Sequence, residues 1–192
     1  MSTTLVLRTC KADMTSNMGW FAWPTSGPVE CSDWLPTPEC GNGLHGFLWG
    51  EGNGSLADWS KDAKWLVVEV EADQVVDLGG KAKFPRGAVV FCGDRKAATD
   101  YIIAHGAAGR AVIGATVAAC DYGTATAGDY GTATAGDCGT ATAGNCGTVC
   151  LRWWDGNRYR LAVGYIGEDG LLPNVPYKVE NGKLVDAREA KQ

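Results

Sequence analysis

Asp121-Tyr-Gly-Thr-Ala-Thr-Ala-Gly128 is followed without insertion by Asp129-Tyr-Gly-Thr-Ala-Thr-Ala-Gly136 and Asp137-Cys-Gly-Thr-Ala-Thr-Ala-Gly144. A decaying copy opens Asn145-Cys-Gly-Thr148, and Ile113 to Cys120 keeps Thr116 and Ala119 in the same register. Thr-Ala-Thr-Ala alternates with the period of a strand, and threonine suits a pleated surface. Gly-Asp-Tyr-Gly reads as a turn in which glycine takes φ > 0 and Asp or Asn bonds local backbone. Strand and turn repeating at constant length predict a β-solenoid over 111–150, two octads to a coil. Positions sixteen apart then stack, Tyr122 over Cys138 and Tyr130 over Cys146. Threonines line one strand face and alanines the other, and the pattern leaves open which faces outward. A helix is disfavoured, because each interior glycine costs about 1 kcal/mol.

A solenoid this short is not self-sufficient. Alanine buries few methylene groups, each worth about 0.8 kcal/mol, so neighbouring regions must cap the stack. The chain has 192 residues, 45% hydrophobic and 20% charged, with 27 glycines and 8 tryptophans. That composition is globular and excludes a disordered chain. Charge divides it into three regions: residues 1–110 carry 10 Lys+Arg against 13 Asp+Glu, 111–150 none against 3, and 151–192 carry 7 against 6. The net of −5 argues against nucleic-acid binding by bulk charge.

Residues 1–110 read as a mixed α+β domain. Leu5–Leu7, Trp65–Val70 and Gly87–Phe91 are apolar strand candidates, and Asp94 is placed to N-cap a helix reaching His105. Between residues 19 and 60 lie four prolines and the tryptophans 20, 23, 34, 49 and 59. Residues 151–192 read as a β-hairpin cap, with turns at Asp155-Gly-Asn157 and Asn181-Gly182. The expected organisation is therefore an α+β domain, a short β-solenoid and a β-rich cap.

No stretch is apolar enough to span a membrane as a helix, and the first residues lack a basic leader, so a cytoplasmic location with reduced thiols is expected. Two histidines and no paired Cys-x-x-Cys make metal binding a poor expectation. Cys146-x-x-x-Cys150 is the closest cysteine pair, and no cofactor is expected.

The motifs Cys40-Gly-Asn-Gly-Leu-His45, the octads 121–144 and the tail from Arg152 through Tyr177-Lys-Val-Glu-Asn-Gly-Lys183 together resemble a family found in bacteria and their phages. Its members join a Cys-x-x-Gly-Leu-His domain to ATAG-type octads and a short β-rich tail. The octads also resemble the repeats of bacterial ice-nucleation proteins. The first resemblance implies a prophage or phage accessory protein, and from it a non-enzymatic anti-defence factor binding a host complex is expected. A looser similarity to ADP-ribosyltransferases implies the enzymatic alternative, with a pocket around His45. A structural or oligomerising repeat protein is the third possibility.

Candidate site residues follow from these readings. His45, expected in a loop, could hold a substrate with Glu51 as acid or base, although a histidine without partners is more often structural. Trp34 and Trp49 are candidates for a recognition surface or for core. Asp121, Asp129 and Asp137 form a ladder that is either an acidic stripe or turn chemistry alone. Arg152, Trp153 and Arg158 could stack on a ligand or cap the last coil. The expected partners are a protein and a second copy of the chain.

Overall fold

The computed structural model describes residues 2–16 and 21–189, so the expectation placed on Trp20 lies outside the described residues. The chain is β-rich and divides into two compact units, Met1–Ala108 and Gly109–Gln192.

The first unit is one antiparallel sheet. Its strands are β1 (Thr3–Cys10), β2 (Gly27–Glu30), β3 (Leu44–Leu48), β4 (Lys64–Glu71), β5 (Val76–Asp77), β6 (Ala82–Phe84) and β7 (Arg86–Gly93), in the spatial order β2-β7-β4-β1-β3-β6-β5. The long central pair β1 and β4 runs from Thr3 opposite Glu71 to Cys10 opposite Lys64. Both read as near-continuous apolar runs because both faces are covered. Val6, Cys10, Leu66, Val68 and Val70 belong to a buried cluster with Trp23, Val29, Leu44, Phe84 and Val89. The alternate residues Leu5, Leu7, Trp65 and Val67 are buried as well. Helix α1 (Arg95–Ile102) packs on β1, β4 and β7, and the Asp94 carboxylate accepts the Ala97 N–H at 2.8 Å as its N-cap. The expected helix ends early. His105 and Gly106 leave helical geometry, and Gly106 at φ 125° lets the Trp49 ring approach where a Cβ would stand 2.9 Å from it.

The second unit contains the octads. Strands β8 (Thr116–Ala119), β10 (Thr132–Ala135) and β12 (Thr148–Trp154) stack in parallel, Thr116 beside Thr132 beside Thr148. Strands β9 (Thr124–Thr126) and β11 (Thr140–Thr142) form a second parallel ladder, Thr124 beside Thr140 and Thr126 beside Thr142. Each pairing is offset by sixteen residues, two octads per repeat of the ladder. Antiparallel strands complete both sheets: β13 (Tyr159–Tyr165) beside β12, and β14 (Pro176–Glu180) with β15 (Lys183–Asp186) beside β11.

The alanines point inward. Ala125, Ala127, Ala133, Ala135, Ala141 and Ala143 are buried together with Val149, Leu151, Ile166, Val175 and Tyr177. Thus the larger apolar side chains come from the last strands and the tail, where the alanine rows end. The threonines stand on the outer faces, as the period of two requires.

The turns correct one expectation. In the entry copy Gly114 supplies the left-handed residue at φ 66°, but in the later copies Tyr122, Tyr130, Cys138 and Cys146 take that position, at φ 60°, 56°, 56° and 53°. Glycine is required for space instead. A Cβ on Gly136 would stand 2.2 Å from Asp121 Oδ1, and one on Gly144 would stand 2.4 Å from Asp129 Oδ1.

Two substitutions test this packing by urea unfolding. Leu151→Ala should destabilise the chain by about 2–5 kcal/mol, the cost of a large-to-small change in a core. Thr134→Val, on the outer face of the same sheet, should stay within about 0.5 kcal/mol of wild type.

Candidate functional site

The motif Cys40-Gly-Asn-Gly-Leu-His45 is held by a lysine far from it in sequence. Lys83 is fully buried on β6, and its Nζ donates to Glu39 O at 2.8 Å and Gly41 O at 3.3 Å. Two backbone carbonyls so placed stabilise an ammonium that burial would otherwise penalise. The same Nζ lies 5.7 Å from the centroid of the Trp34 ring. Cys40 Sγ accepts from Lys81 Nζ at 3.0 Å, and that hydrogen bond lowers its thiol pKa.

His45 stands on β3, paired across the sheet with Lys83, rather than in the loop expected for it. Only its N-terminal neighbours form the loop. Its Nε2 accepts the Gly41 N–H at a long 3.4 Å. Burial, reinforced by Lys81, Arg8 and Lys83, pushes its pKa down to about 4, so the ring is neutral at physiological pH.

His45 lines a cavity of about 530 Å³ with Arg8, Phe21, Trp23, Cys31 and Asn42 among the other wall residues. Glu51 is not among the residues that line that cavity. Trp34 lines a second opening of about 410 Å³ with Arg86 and Pro36. Trp49 takes φ 54° after β3, and its backbone N–H donates to Leu5 O at 2.8 Å.

Sequence reasoning missed Arg8. It alternates with Val6 and Cys10 on the β1 face that carries the apolar cluster. Its Nη1 donates to His45 O at 3.3 Å, and the guanidinium lies 5.3 Å from the Trp23 ring centroid. The only signal in the sequence was an arginine interrupting an otherwise apolar strand.

In the second unit, the aspartate ladder works within the fold. Asp121 Oδ1 accepts the Asp137 N–H at 2.8 Å and pairs with Arg152 Nη2 at 2.6 Å. Asp129, 8% exposed, accepts the Asn145 N–H at 2.7 Å. Asp137 contributes its backbone carbonyl to the Tyr122 N–H at 2.8 Å. Arg152 also lies 4.4 Å from the Tyr159 ring centroid. Trp153 covers Gly182, where a Cβ would meet the ring at 2.8 Å. Arg158 serves the β12–β13 turn through its backbone, its N–H donating to Asp155 Oδ1 at 2.7 Å. That bond, the Arg160 side chain and the Asn157 N–H together bring the Asp155 pKa down to about 2. All eight cysteines are free thiols. Among the described residues no His/Cys/Asp/Glu group could hold a metal, and no helix is long and apolar enough to cross a membrane.

The first unit carries a β-rich domain whose sequence matches a known family over residues 4–104, more than half of the chain. The chain belongs to the family of the domain of unknown function DUF7666. Its curated relatives are ice nucleation proteins. That of Xanthomonas campestris pv. translucens is 46% identical over 103 residues, 53% of this chain and 6% of the relative. InaU of Pantoea ananas is 41% identical over 103 residues, 53% and 10% of the two chains. An ice nucleation protein of Pseudomonas syringae is 43% identical over 102 residues, 52% and 9%. The chain thus spans a tenth or less of the length of these relatives. No solved structure matches.

These relatives overturn three expectations. The phage-encoded anti-defence factor is corrected, because proteins similar over half the chain are named for ice nucleation. The acidic stripe offered for that role is also largely consumed inside the fold, through Arg152 and the backbone of the next octad pair. The phage setting and the cytoplasmic location fall with the same match.

The depressed His45 pKa has a measurable consequence. The unfolded chain, with an ordinary histidine near 6.5, binds more protons than the fold, whose value is about 4. Stability from this group is therefore complete above about 6.5 and is lost as pH falls toward 4. The urea midpoint should drop across that window, and His45→Asn should flatten the drop. An unchanged slope in the variant would assign the pH dependence elsewhere.

Proposed function

We propose that this chain is a structural, self-associating repeat protein of ice-nucleation type. In this reading residues 111–150 are a short β-solenoid, 151–192 its β-hairpin cap, and 1–110 a mixed α+β domain. The observation that carries self-association is the edge strand β13. Tyr159, Leu161, Val163 and Tyr165 alternate along its outer face with 49–63% exposure, and Trp154 on β12 adds 51%. A row of exposed apolar side chains on an edge strand with unpaired backbone is a surface for pairing with another chain. Nothing in the outer face of β8 or β10 resembles it; there the exposed columns are threonine and alanine.

The threonine columns support the ice-nucleation side of the reading. Thr124, Thr126, Thr140 and Thr142 form a two-by-two array on one sheet, and Thr116, Thr132 and Thr148 form a column on the other. Ladder geometry spaces such hydroxyls about 4.8 Å across strands and about 6.7 Å along them. A lattice of that regularity orders adjacent water, but an array of this size is small, and association multiplies it. The relatives' names support this direction, and their much greater length fits a requirement for a larger face.

Sedimentation velocity tests the reading. The wild-type chain should associate across a micromolar concentration series, and Leu161→Lys/Val163→Lys should be monomeric with an unchanged circular dichroism spectrum. A monomeric wild type would overturn it. Droplets of the wild type should freeze at a higher temperature than buffer, and the double variant should lose most of that difference.

A further inference from the structure

The edge strand β13 has a sequence that reads nearly alike in both directions. Tyr159-Arg-Leu-Ala162-Val-Gly-Tyr165 sets a tyrosine at each end, branched aliphatic residues at 161 and 163, and alanine at the centre. Its pairing with β12 is regular, from Trp154 opposite Tyr159 to Thr148 opposite Tyr165. Two bonds just beyond that ladder fix which residues bond across it. The Asp155 N–H donates to Arg158 O at 3.1 Å, and the Ile166 N–H donates to Gly147 O at 2.9 Å. The alternate residues between these points, Arg160, Ala162 and Gly164, therefore turn their backbone groups toward β12. Leu161 and Val163 turn theirs outward from the sheet edge, while their side chains stand exposed on its outer face. Native folds blunt such an edge with proline, a bulge or charge. Strand β13 has no proline, its register no shift, and its one charged side chain, Arg160, is held by Asp155 at 2.6 Å.

We propose that β13 pairs antiparallel with β13 of a second copy of the chain, about a two-fold axis at Ala162, joining two four-stranded sheets edge to edge. An antiparallel partner meets the strand in reverse order, so a strand that reads alike in both directions is complementary to itself. With Leu161 opposite the partner's Val163, each such pair exchanges N–H and C=O bonds both ways, and Tyr159 falls opposite the partner's Tyr165. Ala162 then faces the partner's Ala162, and Arg160 faces the partner's Gly164, so no like charges oppose. The neighbouring registers fit less well. Leu161 opposite itself sets Tyr165 against the partner's Asn157, and Val163 opposite itself sets Tyr159 against the partner's Gly167. A two-fold contact uses up the edge it forms on, so it closes at a dimer. Residues opposed across a sheet share a face, which puts the Thr116, Thr132 and Thr148 columns of both copies on one side of the joined sheet. This pairing rests on the reading above, in which β13 carries self-association, and specifies its partner strand and register.

Amide hydrogen exchange read by NMR on the full chain, with sedimentation velocity at the same concentrations, tests the pairing. In the dilute monomer the Leu161 and Val163 amides should exchange freely, while those of Ala162 and Gly164 are protected by β12. As the dimer forms, exchange at Leu161 and Val163 should slow at least roughly tenfold. Val163→Pro removes an outward donor without touching the β12 ladder and should weaken the dimer at least roughly tenfold. Should that variant fail to fold, the exposed tyrosines supply a test that leaves the backbone alone. Tyr159→Lys/Tyr165→Lys sets lysine opposite lysine, whereas Tyr159→Lys/Tyr165→Glu sets lysine opposite glutamate. The second should dimerise at least roughly tenfold more tightly than the first. Failure of the second to exceed the first would overturn the register, and growth of the wild type past a dimer would overturn the closed contact. A dimer whose Leu161 and Val163 amides stay unprotected would overturn the edge pairing and leave self-association standing. A chain that is monomeric at every concentration would overturn both.

Discussion

The buried carboxylate of Asp129 accepts the N–H of Asn145, sixteen residues further along, at 2.7 Å, and Asp121 does the same for Asp137 at 2.8 Å. These bonds staple the turn of one octad pair to the turn of the next. They work because the following pass approaches closely, and it approaches closely because Gly136 and Gly144 have no Cβ to collide with the same carboxylates. The spacing so established lets Thr116, Thr132 and Thr148 fall into one column and the alanines into another. An alanine interior is thin, so stability depends on Val149, Leu151, Ile166 and Tyr177 closing the end where the rows stop.

The first unit rests on the opposite kind of constraint. Its sheet is apolar on both faces, and two cations are set into it. Lys83 is reconciled with burial by two backbone carbonyls, and in exchange it pins the loop that precedes His45. Arg8 has only a long bond to His45 O and an aromatic face, which leave its Nε unanswered.

The family matches residues 4–104, the region holding both cations. The ice nucleation proteins match a stretch of 103 residues, longer than the 40 residues of 111–150, so their similarity takes in sequence beyond the octads.

The sequence by itself determined the period of eight, the strand character of Thr-Ala-Thr-Ala, the hairpin turns at Asp155-Gly-Asn157 and Asn181-Gly182, and the N-cap at Asp94, because each depends on residues within a few positions of one another. It could not decide which face of the repeat points inward, since period two serves either choice; burial against Leu151 and Tyr177 decided that. Nor could it show that after Gly114 it is Tyr and Cys that take the left-handed turn, because the need for Gly136 and Gly144 comes from a carboxylate fifteen residues earlier. His45 was legible as unusual, but its strand position and neutral ring follow from Lys83 and Arg8, 38 and 37 residues away. Arg8 itself was hidden, because an exposed arginine and one buried beside a cavity are identical in sequence. Only the fold brings the Trp23 ring against its guanidinium.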